Sequence, residues 1–321
     1  MARKYEMTDE TIVVAGHTLH RIRALADIPG RVKKGELGGF IEREENLSHD
    51  GDAWVSDVAF VFVNARVTGN AHVTGNARVT ENAYVSGNAI VTENAHVSGT
   101  ACIYGSASIL GDAVVTGNAR VYEDAVVDEN ARVYGNACIL GNARVTGNAR
   151  VYEDAVVAEN ARVYGDGSVR GYSMVVGNAQ VCGNAYVGGD ARIFGNARVD
   201  GYAFVHDNAR VSDTACIYGS ASILGNAKIG GSTKIHGGEW RVQPLCIEGT
   251  EGCFNISSPS TVRCGCKDRT WEEWRNSYSK IAADNGWESV LPEYVAYFNL
   301  ACQLYGHEDC MIPKEEITKQ E

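Results

Sequence analysis

Four histidines are the side chains best suited to acid–base chemistry, and all lie at outward positions of a repeated six-residue word. They are His72, His96, His206 and His236. A neutral imidazole can accept a proton near neutral pH, as a general base does. None of the four has a carboxylate at an obvious orienting spacing, so the sequence favours ordinary surface histidines. If the protein is an enzyme, we expect His96 or His206 to act, because both fall on a face that also holds aromatic residues.

The cysteines are the second group that could do chemistry, because thiolates bind zinc. The chain has ten, and Cys264 and Cys266 are separated by a single residue. That spacing is tighter than the Cys-x-x-Cys pairs of structural zinc sites, and the other cysteines of this region and His307 are irregularly spaced. We therefore expect buried free thiols and no metal site.

A hexad repeat carries the histidines and runs from residue 53 to residue 238 without insertion or deletion. It comprises 31 hexads, with Val or Ile at the third position of each and Ala at the first position of all but three. Side chains alternate along a strand, so positions one and three point inward and positions two and four point outward. Gly-Asn and similar pairs at positions five and six turn the chain. The pattern predicts a parallel β-helix.

The word Val-x-x-x-Ala-x, as in Val67 to His72, resembles the hexapeptide repeat of left-handed β-helices. The resemblance implies three hexads per triangular coil, a left-handed winding and about ten coils. Hexapeptide acyltransferases share this repeat. They are usually homotrimers that hold an acyl donor between neighbouring prisms and use a histidine as general base. If this chain is such an enzyme, the resemblance implies acetyl-CoA as cofactor.

Residues 1–52 predict an N-terminal β cap. Two strand-like runs surround Ala15-Gly16-His17, which indicates a hairpin. The segment GELGGF, residues 35–40, lacks the spacing and the Lys of a phosphate-binding loop, so we interpret it as a turn. This segment and the residues that lead into the repeat resemble the corresponding region of YdcK-type hexapeptide-repeat proteins, which occur in bacteria and, as related proteins, in phages.

Residues 239–321 predict a C-terminal α+β segment. Short strands come first, and Thr270 with Glu273 then forms a capping box before an amphipathic helix. Pro292 opens a second helix, so the pair forms a helical hairpin. The segment resembles tails of phage-associated repeat proteins, and we expect it to bind a protein partner.

One of the three faces carries a long apolar stripe on the outside of the predicted prism. A patch of this length is rare on a soluble monomer. We therefore expect an oligomer interface, either a homotrimer as in the acyltransferases or an antiparallel homodimer, unless the terminal segment folds over it. The large residues of the stripe are Tyr84, Tyr104, Tyr122, Leu140, Val156, Met174, Val176 and Phe194.

Charge and hydropathy indicate in which compartment the protein is found and which partners it can bind. The net charge of −11 disfavours a nucleic-acid backbone as partner. The sequence contains no apolar run of eighteen residues, so we expect no membrane span. The charged N-terminal residues lack an apolar signal core, which predicts a cytoplasmic protein.

The sequence as a whole favours a non-catalytic β-solenoid scaffold or binding protein, of phage or prophage origin if the resemblance of its tail holds. The alternative is an acyl-CoA-dependent acyltransferase of the hexapeptide class. A third interpretation is a protein that binds small anionic molecules, because arginines recur eighteen residues apart at outward positions.

Overall fold

The repeat winds into a parallel β-solenoid, as predicted. The computed structural model describes residues 3–265, 267–313 and 316. Within the repeat each strand pairs in parallel with the strand 18 residues later, as Cys102 pairs with Arg120 and Val133 with Val151. Three hexads therefore complete one coil, and the solenoid has about eleven turns, with 11 strands in one of its sheets. The strand Glu239–Trp240, just after the repeat, pairs with Ser222–Ile223 at an offset of 17. The left-handed winding stays a prediction from the resemblance.

The solenoid has three faces, which we name in the order in which the hexads reach them. The strands of the first face lie at Trp54–Val55, His72–Val73, Ile90–Val91, Ser108–Ile109, Val126–Val127, Arg144–Val145, Arg162–Val163, Gln180–Val181, Arg198–Val199, Cys216–Ile217 and Lys234–Ile235. Those of the second face lie at Phe60–Val61, Arg78–Val79, His96–Val97, Val114–Val115, Arg132–Val133, Arg150–Val151, Ser168–Val169, Tyr186–Val187, Phe204–Val205, Ser222–Ile223 and Glu239–Trp240. Those of the third face lie at Arg66–Val67, Tyr84–Val85, Cys102–Ile103, Arg120–Val121, Cys138–Ile139, Val156–Val157, Met174–Val175, Arg192–Ile193, Arg210–Val211 and Lys228–Ile229.

Alanines and branched aliphatic residues fill the interior. Ala113 and Val115, for example, are completely buried, and the outward Val114 between them is half-buried. The backbone is satisfied between coils, because the Trp54 N–H donates to the Ala71 carbonyl at 3.0 Å and the Ser56 N–H to the Val73 carbonyl at 2.8 Å. The interior is therefore a continuous apolar shaft with a hydrogen-bonded wall.

The corners use the left-handed backbone region at position five. Most of these residues are glycines, such as Gly117 at φ +69°, but several are acidic, such as Glu123 at φ +61°. A side chain in this region costs about 1–2 kcal/mol. The carboxylate offsets part of that cost, because Glu123 accepts a hydrogen bond from the Gly141 N–H one coil later at 2.7 Å.

The N-terminal hairpin is confirmed. Strands Tyr5–Val14 and His17–Ala24 are antiparallel. Ala15 at φ +51° and Gly16 at φ +86° form the two-residue turn between them, as the right-handed twist of a hairpin requires. A 3₁₀ helix at Glu44–Asn46 then leads into the solenoid.

The interpretation of GELGGF as a turn is wrong for its last four residues. Leu37–Ile41 is a strand that pairs with His17–Ala24 and, in parallel, with Phe60–Val61. The glycines serve close packing, because a Cβ on Gly38 would lie 2.5 Å from the Val55 carbonyl oxygen. The N-terminal strands therefore continue the sheet of the second face.

The C-terminal residues form a four-stranded antiparallel sheet followed by the predicted helical hairpin. The strands lie at Cys246–Gly249, Gly252–Ser258, Thr261–Cys264 and Lys267–Thr270. The helices are α1 at Trp271–Asn285 and α2 at Leu291–Tyr305, with 3₁₀ helices at Glu288–Val290 and Glu308–Cys310. The capping box of Thr270 and Glu273 is present at the start of α1.

Candidate functional site

The second face carries a histidine with an orienting carboxylate. His206 Nδ1 lies 2.9 Å from Asp207 Oδ1, and the other oxygen of Asp207 accepts a hydrogen bond from the Gly225 N–H at 2.8 Å. These two hydrogen bonds lower the pKa of Asp207, the one with His206 more than the other. The expectation that no histidine of the repeat has such a partner is therefore wrong for His206.

Aromatic rings surround His206. The Phe204 ring stacks on the imidazole at 5.4 Å and the Tyr186 ring at 6.1 Å, and Tyr186 itself stacks on Phe204 at 4.8 Å. Gly188 makes this approach possible, because a Cβ there would lie 2.8 Å from both the imidazole and the tyrosine ring. The Arg170 guanidinium covers the Tyr186 ring at 5.0 Å. A carboxylate-oriented imidazole on an aromatic wall can remove a proton from a bound hydroxyl or amine.

Asp207 directly follows His206 in the sequence, but the alternation of side chains along a strand did not predict that the two would interact. Neighbours on a strand point to opposite faces, so an acid directly after a histidine is not its expected partner. Asp207, however, occupies the corner position at φ +58°, where the chain turns. Its side chain therefore comes back to the His206 ring.

His96 lies on the same face but lacks these features. Its Nε2 is 3.5 Å from the Thr80 hydroxyl, and burial, followed by the nearby Arg78, lowers its pKa. Six rungs separate His96 from His206, which is about 29 Å at ~4.8 Å per rung. The two residues therefore do not belong to one site.

The remaining two histidines of the repeat lie on the first face. His72 Nε2 contacts the Ser56 hydroxyl at 2.9 Å, and burial lowers its pKa. His236 packs against Tyr218, and its Nδ1 lies 3.6 Å from Asp268 of the C-terminal sheet. His236 thus belongs to the contact between the solenoid and the C-terminal segment.

Asp268 is the centre of that contact. Its carboxylate accepts two hydrogen bonds from Arg263, at 2.7 and 3.0 Å, and one from the Tyr218 hydroxyl at 3.2 Å. Burial alone would raise its pKa, but the hydrogen bonds and the Arg263 charge outweigh it and hold the pKa at about 2. The strand Gly252–Ser258 also reaches the last coil, where the His236 N–H donates to the Ser257 carbonyl at 2.9 Å.

The apolar stripe lies on one sheet, the third face. Tyr84 is 39% exposed, and Tyr104 and Phe194 are each 37% exposed. Tyr104 stacks on Tyr122 one rung later, with ring centroids 4.8 Å apart. The stripe has solvent on its outer side in the isolated chain. Its role as an interface stays a prediction.

Two cysteines of the C-terminal sheet come together, although their spacing in the sequence did not indicate it. Cys246 Sγ lies 2.9 Å from Cys253 Sγ, and Glu248 lies close enough for the three side chains to share an ion. Two thiolates on a tetrahedral zinc, with bonds of about 2.3 Å, would stand roughly 3.8 Å apart. The observed contact is shorter than that separation. The hydrogen bond between the two side chains lowers the pKa of Cys246 to about 7.

The other predicted thiols divide between buried and undescribed positions. Cys264, Cys302 and Cys310 are buried free cysteines, as expected. Cys266 lies outside the described residues. His307 stacks on Trp271 at 4.2 Å.

Among the described helices, none combines the length and the apolar character needed to cross a bilayer.

Comparison with known proteins gives a match for part of the repeat. The family model described as the YdcK beta solenoid repeat matches residues 83–99 and 191–207, two single coils of the solenoid. No curated protein matches the sequence. One similar solved structure is the UDP-N-acetylglucosamine acyltransferase of Francisella novicida, at 16% identity and a TM-score of 0.25. The alignment covers 49% of this chain and 62% of that enzyme, so this chain spans less than two thirds of the enzyme's length.

Proposed function

We propose that this protein is a non-catalytic scaffold, a rigid β-solenoid that holds its terminal segments apart and associates with other molecules through its faces. The observation that carries the proposal is the unbroken ladder from residue 53 to residue 238, in which every residue is described. Each hexad turns at a two-residue corner, so no long loop leaves the walls to enclose a substrate. A rod of about eleven turns, with ~4.8 Å between neighbouring rungs, is roughly 50 Å long.

Rigidity follows from the way in which the coils are joined. Every coil contributes three hydrogen-bonded strands and buried interior side chains, which are Ala and Val or Ile except at Gly167, Ser173 and Thr233. Bending the rod would open these hydrogen bonds and the apolar contacts together. A solenoid of this kind suits a spacer, because its length depends only on the number of coils.

Small-angle X-ray scattering of a one-coil deletion tests the scaffold proposal. Deletion of residues 131–148 removes 18 residues and keeps the hexad register. We expect a folded rod about 5 Å shorter, with an otherwise unchanged distance distribution. A wild-type distribution as broad as that of a flexible chain, or a deletion variant that keeps the wild-type length, would contradict the rigid-spacer role.

A second candidate function is acyl-CoA-dependent acyl transfer, and the contact between His206 and Asp207 favours it. In that reaction His206 would take the proton of an acceptor hydroxyl or amine as the acceptor attacks the thioester carbonyl. As the C–S bond breaks, the imidazolium would return this proton to the departing CoA thiolate, and the carboxylate would orient the imidazole. The wall formed by Tyr186 and Phe204 would then line the acceptor side. The cofactor would be acetyl-CoA or a longer acyl-CoA.

CoA release from acetyl-CoA and longer acyl-CoAs, with a panel of amine and hydroxyl acceptors, separates the two functions. The scaffold proposal expects the same background with wild type and with His206→Ala. The enzyme proposal expects release that falls at least about 100-fold in His206→Ala. It also expects a smaller loss in Asp207→Asn and no change in His96→Ala, which is the matched control on the same face.

A further inference from the structure

We propose that the third face binds a second copy of this chain in antiparallel orientation, with Cys138 on the two-fold axis. The inference rests on the scaffold role proposed above and adds its partner and its geometry. Three observations carry it: the symmetric extent of the apolar stripe, the sizes of the outward side chains along it, and the distribution of its charges.

The apolar stripe has a definite centre. It begins at the rung of Tyr84 and ends at the rung of Phe194, and the middle one of these seven rungs is Cys138–Ile139. A two-fold axis that runs along this central strand, in the plane of the interface, makes the two solenoids antiparallel. It places Cys138 opposite its own copy and Leu140 opposite its own copy. Rungs at equal distances above and below the centre then face each other.

The side chains at position four are complementary in size under this symmetry. Each large ring faces a smaller side chain, as self-complementary packing across a two-fold axis requires. The facing pairs are Tyr122 with Ala158, Tyr104 with Val176, and Phe194 with Ser86. All of these side chains leave the same sheet at the same position of the hexad.

The cations of the third face argue against a parallel arrangement of the two copies. Arg66, Arg120, Arg192, Arg210 and Lys228 are exposed on this face. They take part in none of the salt bridges among the described residues. In a parallel pair, each of these five cations would lie on the same rung as its copy in the partner. Two like charges on one rung repel each other.

The antiparallel pair gives two of these five cations, Arg192 and Lys228, a favourable neighbour and leaves Arg120 beside a neutral one. Arg192 comes to lie opposite Tyr84, where a guanidinium can stack on the ring. Arg120 lies opposite Val156. Lys228 meets the rung that precedes Arg66–Val67, which begins beside the exposed Glu45. Arg66 with Arg210 remains as the one like-charged combination among these five cations.

The area of the face is sufficient for a stable dimer. The solenoid is roughly 50 Å long and a face about 15 Å wide, which gives on the order of 800 Å² per copy. Stable protein interfaces bury about 800 Å² per partner. Arg66, Arg210 and Lys228 lie beyond the two ends of the apolar stripe, and Arg120 and Arg192 lie within it. The area therefore has a largely apolar core and a charged rim.

Thiol crosslinking in the intact protein tests this geometry. The reagent is a short bismaleimide that bridges two thiols across the about 10 Å between packed sheets, and electrophoresis with peptide mapping identifies the crosslink. We expect a covalent dimer that is absent in Cys138→Ala and present in Cys102→Ala. Cys102 lies two rungs from the centre, so about 19 Å separates it from its own copy. In a parallel dimer or trimer, Cys102 and Cys138 would each lie at the same distance from their own copies. Both cysteines or neither would then be crosslinked to the copy.

Light scattering with matched variants gives an independent test. Leu140→Asp should convert the dimer to monomer, whereas Leu110→Asp, at the same hexad position on the first face, should leave it unchanged. A wild-type monomer at about 50 µM, a dimer insensitive to Leu140→Asp, or any crosslink pattern other than Cys138 to Cys138 overturns the inference. Those outcomes leave the scaffold proposal standing, whereas His206-dependent acyl transfer overturns the scaffold proposal and leaves the dimer.

Discussion

Deletion of a single hexad separates the requirements of the core from those of the third face. Residues 131–136 form one hexad on the second face, with Arg132 and Tyr134 as its outward residues. Their removal keeps every residue of the apolar stripe. Because every hexad presents Val or Ile, and nearly every one Ala, to the interior, the coils downstream can still stack on those upstream. We therefore expect a folded solenoid with unchanged circular dichroism and a melting temperature within a few degrees of wild type.

The outer surface responds differently. Six of the 18 residues of a coil correspond to one third of a turn, so all downstream faces rotate by about 120° relative to the upstream ones. The seven-rung stripe is split into three rungs that end at Tyr122 and four that begin at Cys138. Only one part can face a partner at a time, so roughly half of the area, on the order of 400 Å² per copy, can be buried. An interface of about 800 Å² in total is the size of a crystal-packing contact.

Light scattering over a concentration series measures the effect. The hexad deletion should be monomeric where wild type is dimeric. Deletion of the full coil 131–148, which leaves six contiguous stripe rungs, should keep an appreciable fraction of dimer. An unfolded hexad deletion would refute the claim that hexads are interchangeable inside. A folded hexad deletion that dimerises as well as wild type would refute the claim that the stripe is the interface.

Three point changes test separate parts of the fold. Val115→Ala removes two fully buried carbon atoms and should lower the free energy of unfolding, measured by chemical denaturation, by about 2–3 kcal/mol. Val114 is the outward neighbour on the same strand, and Val114→Ala should lower the free energy of unfolding by less than about 1 kcal/mol. Glu123→Ala should be less stable than Glu123→Gly by about 1 kcal/mol, because both lose the hydrogen bond and only glycine relieves the positive φ. Asp268, with a pKa of about 2 against 3.8 in the unfolded chain, contributes about 2 kcal/mol of stability that is present above pH ~4 and is lost as the pH falls towards 2. In tryptophan fluorescence, Asp268→Asn should be less stable at neutral pH and should lack that pH dependence.

The interior of the solenoid could be predicted from the sequence because it obeys a local rule. The alternation of inward and outward residues places Ala113 and Val115 inside without knowledge of any distant residue. The hairpin at Ala15 and Gly16 and the capping box at Thr270 are equally local, since each depends on a few consecutive side chains.

The features that the sequence pattern did not predict depend on residues that are distant in the chain. The ring stack beside His206 needs Tyr186 and Gly188 from the preceding coil, 18 to 20 residues earlier. The contact of Cys246 with Cys253 depends on how two short strands pair. Alternation along one strand gives no information about such neighbours, because they come from the ladder between coils or from the registry of a hairpin.

The two periods of this sequence therefore specify different properties. The period of six specifies the interior and is the same in nearly every hexad, so it builds the rod and cannot distinguish one place on it from another. The period of 18 decides which outward side chains become neighbours, and only it can assemble a site. The Glu123–Gly141 hydrogen bond, the aromatic stack beside His206 and the stripe centred on Cys138 are all features of this longer period. Selection on the function should therefore act on outward residues 18 apart, whereas the interior tolerates exchange of whole hexads as long as that longer phase is kept.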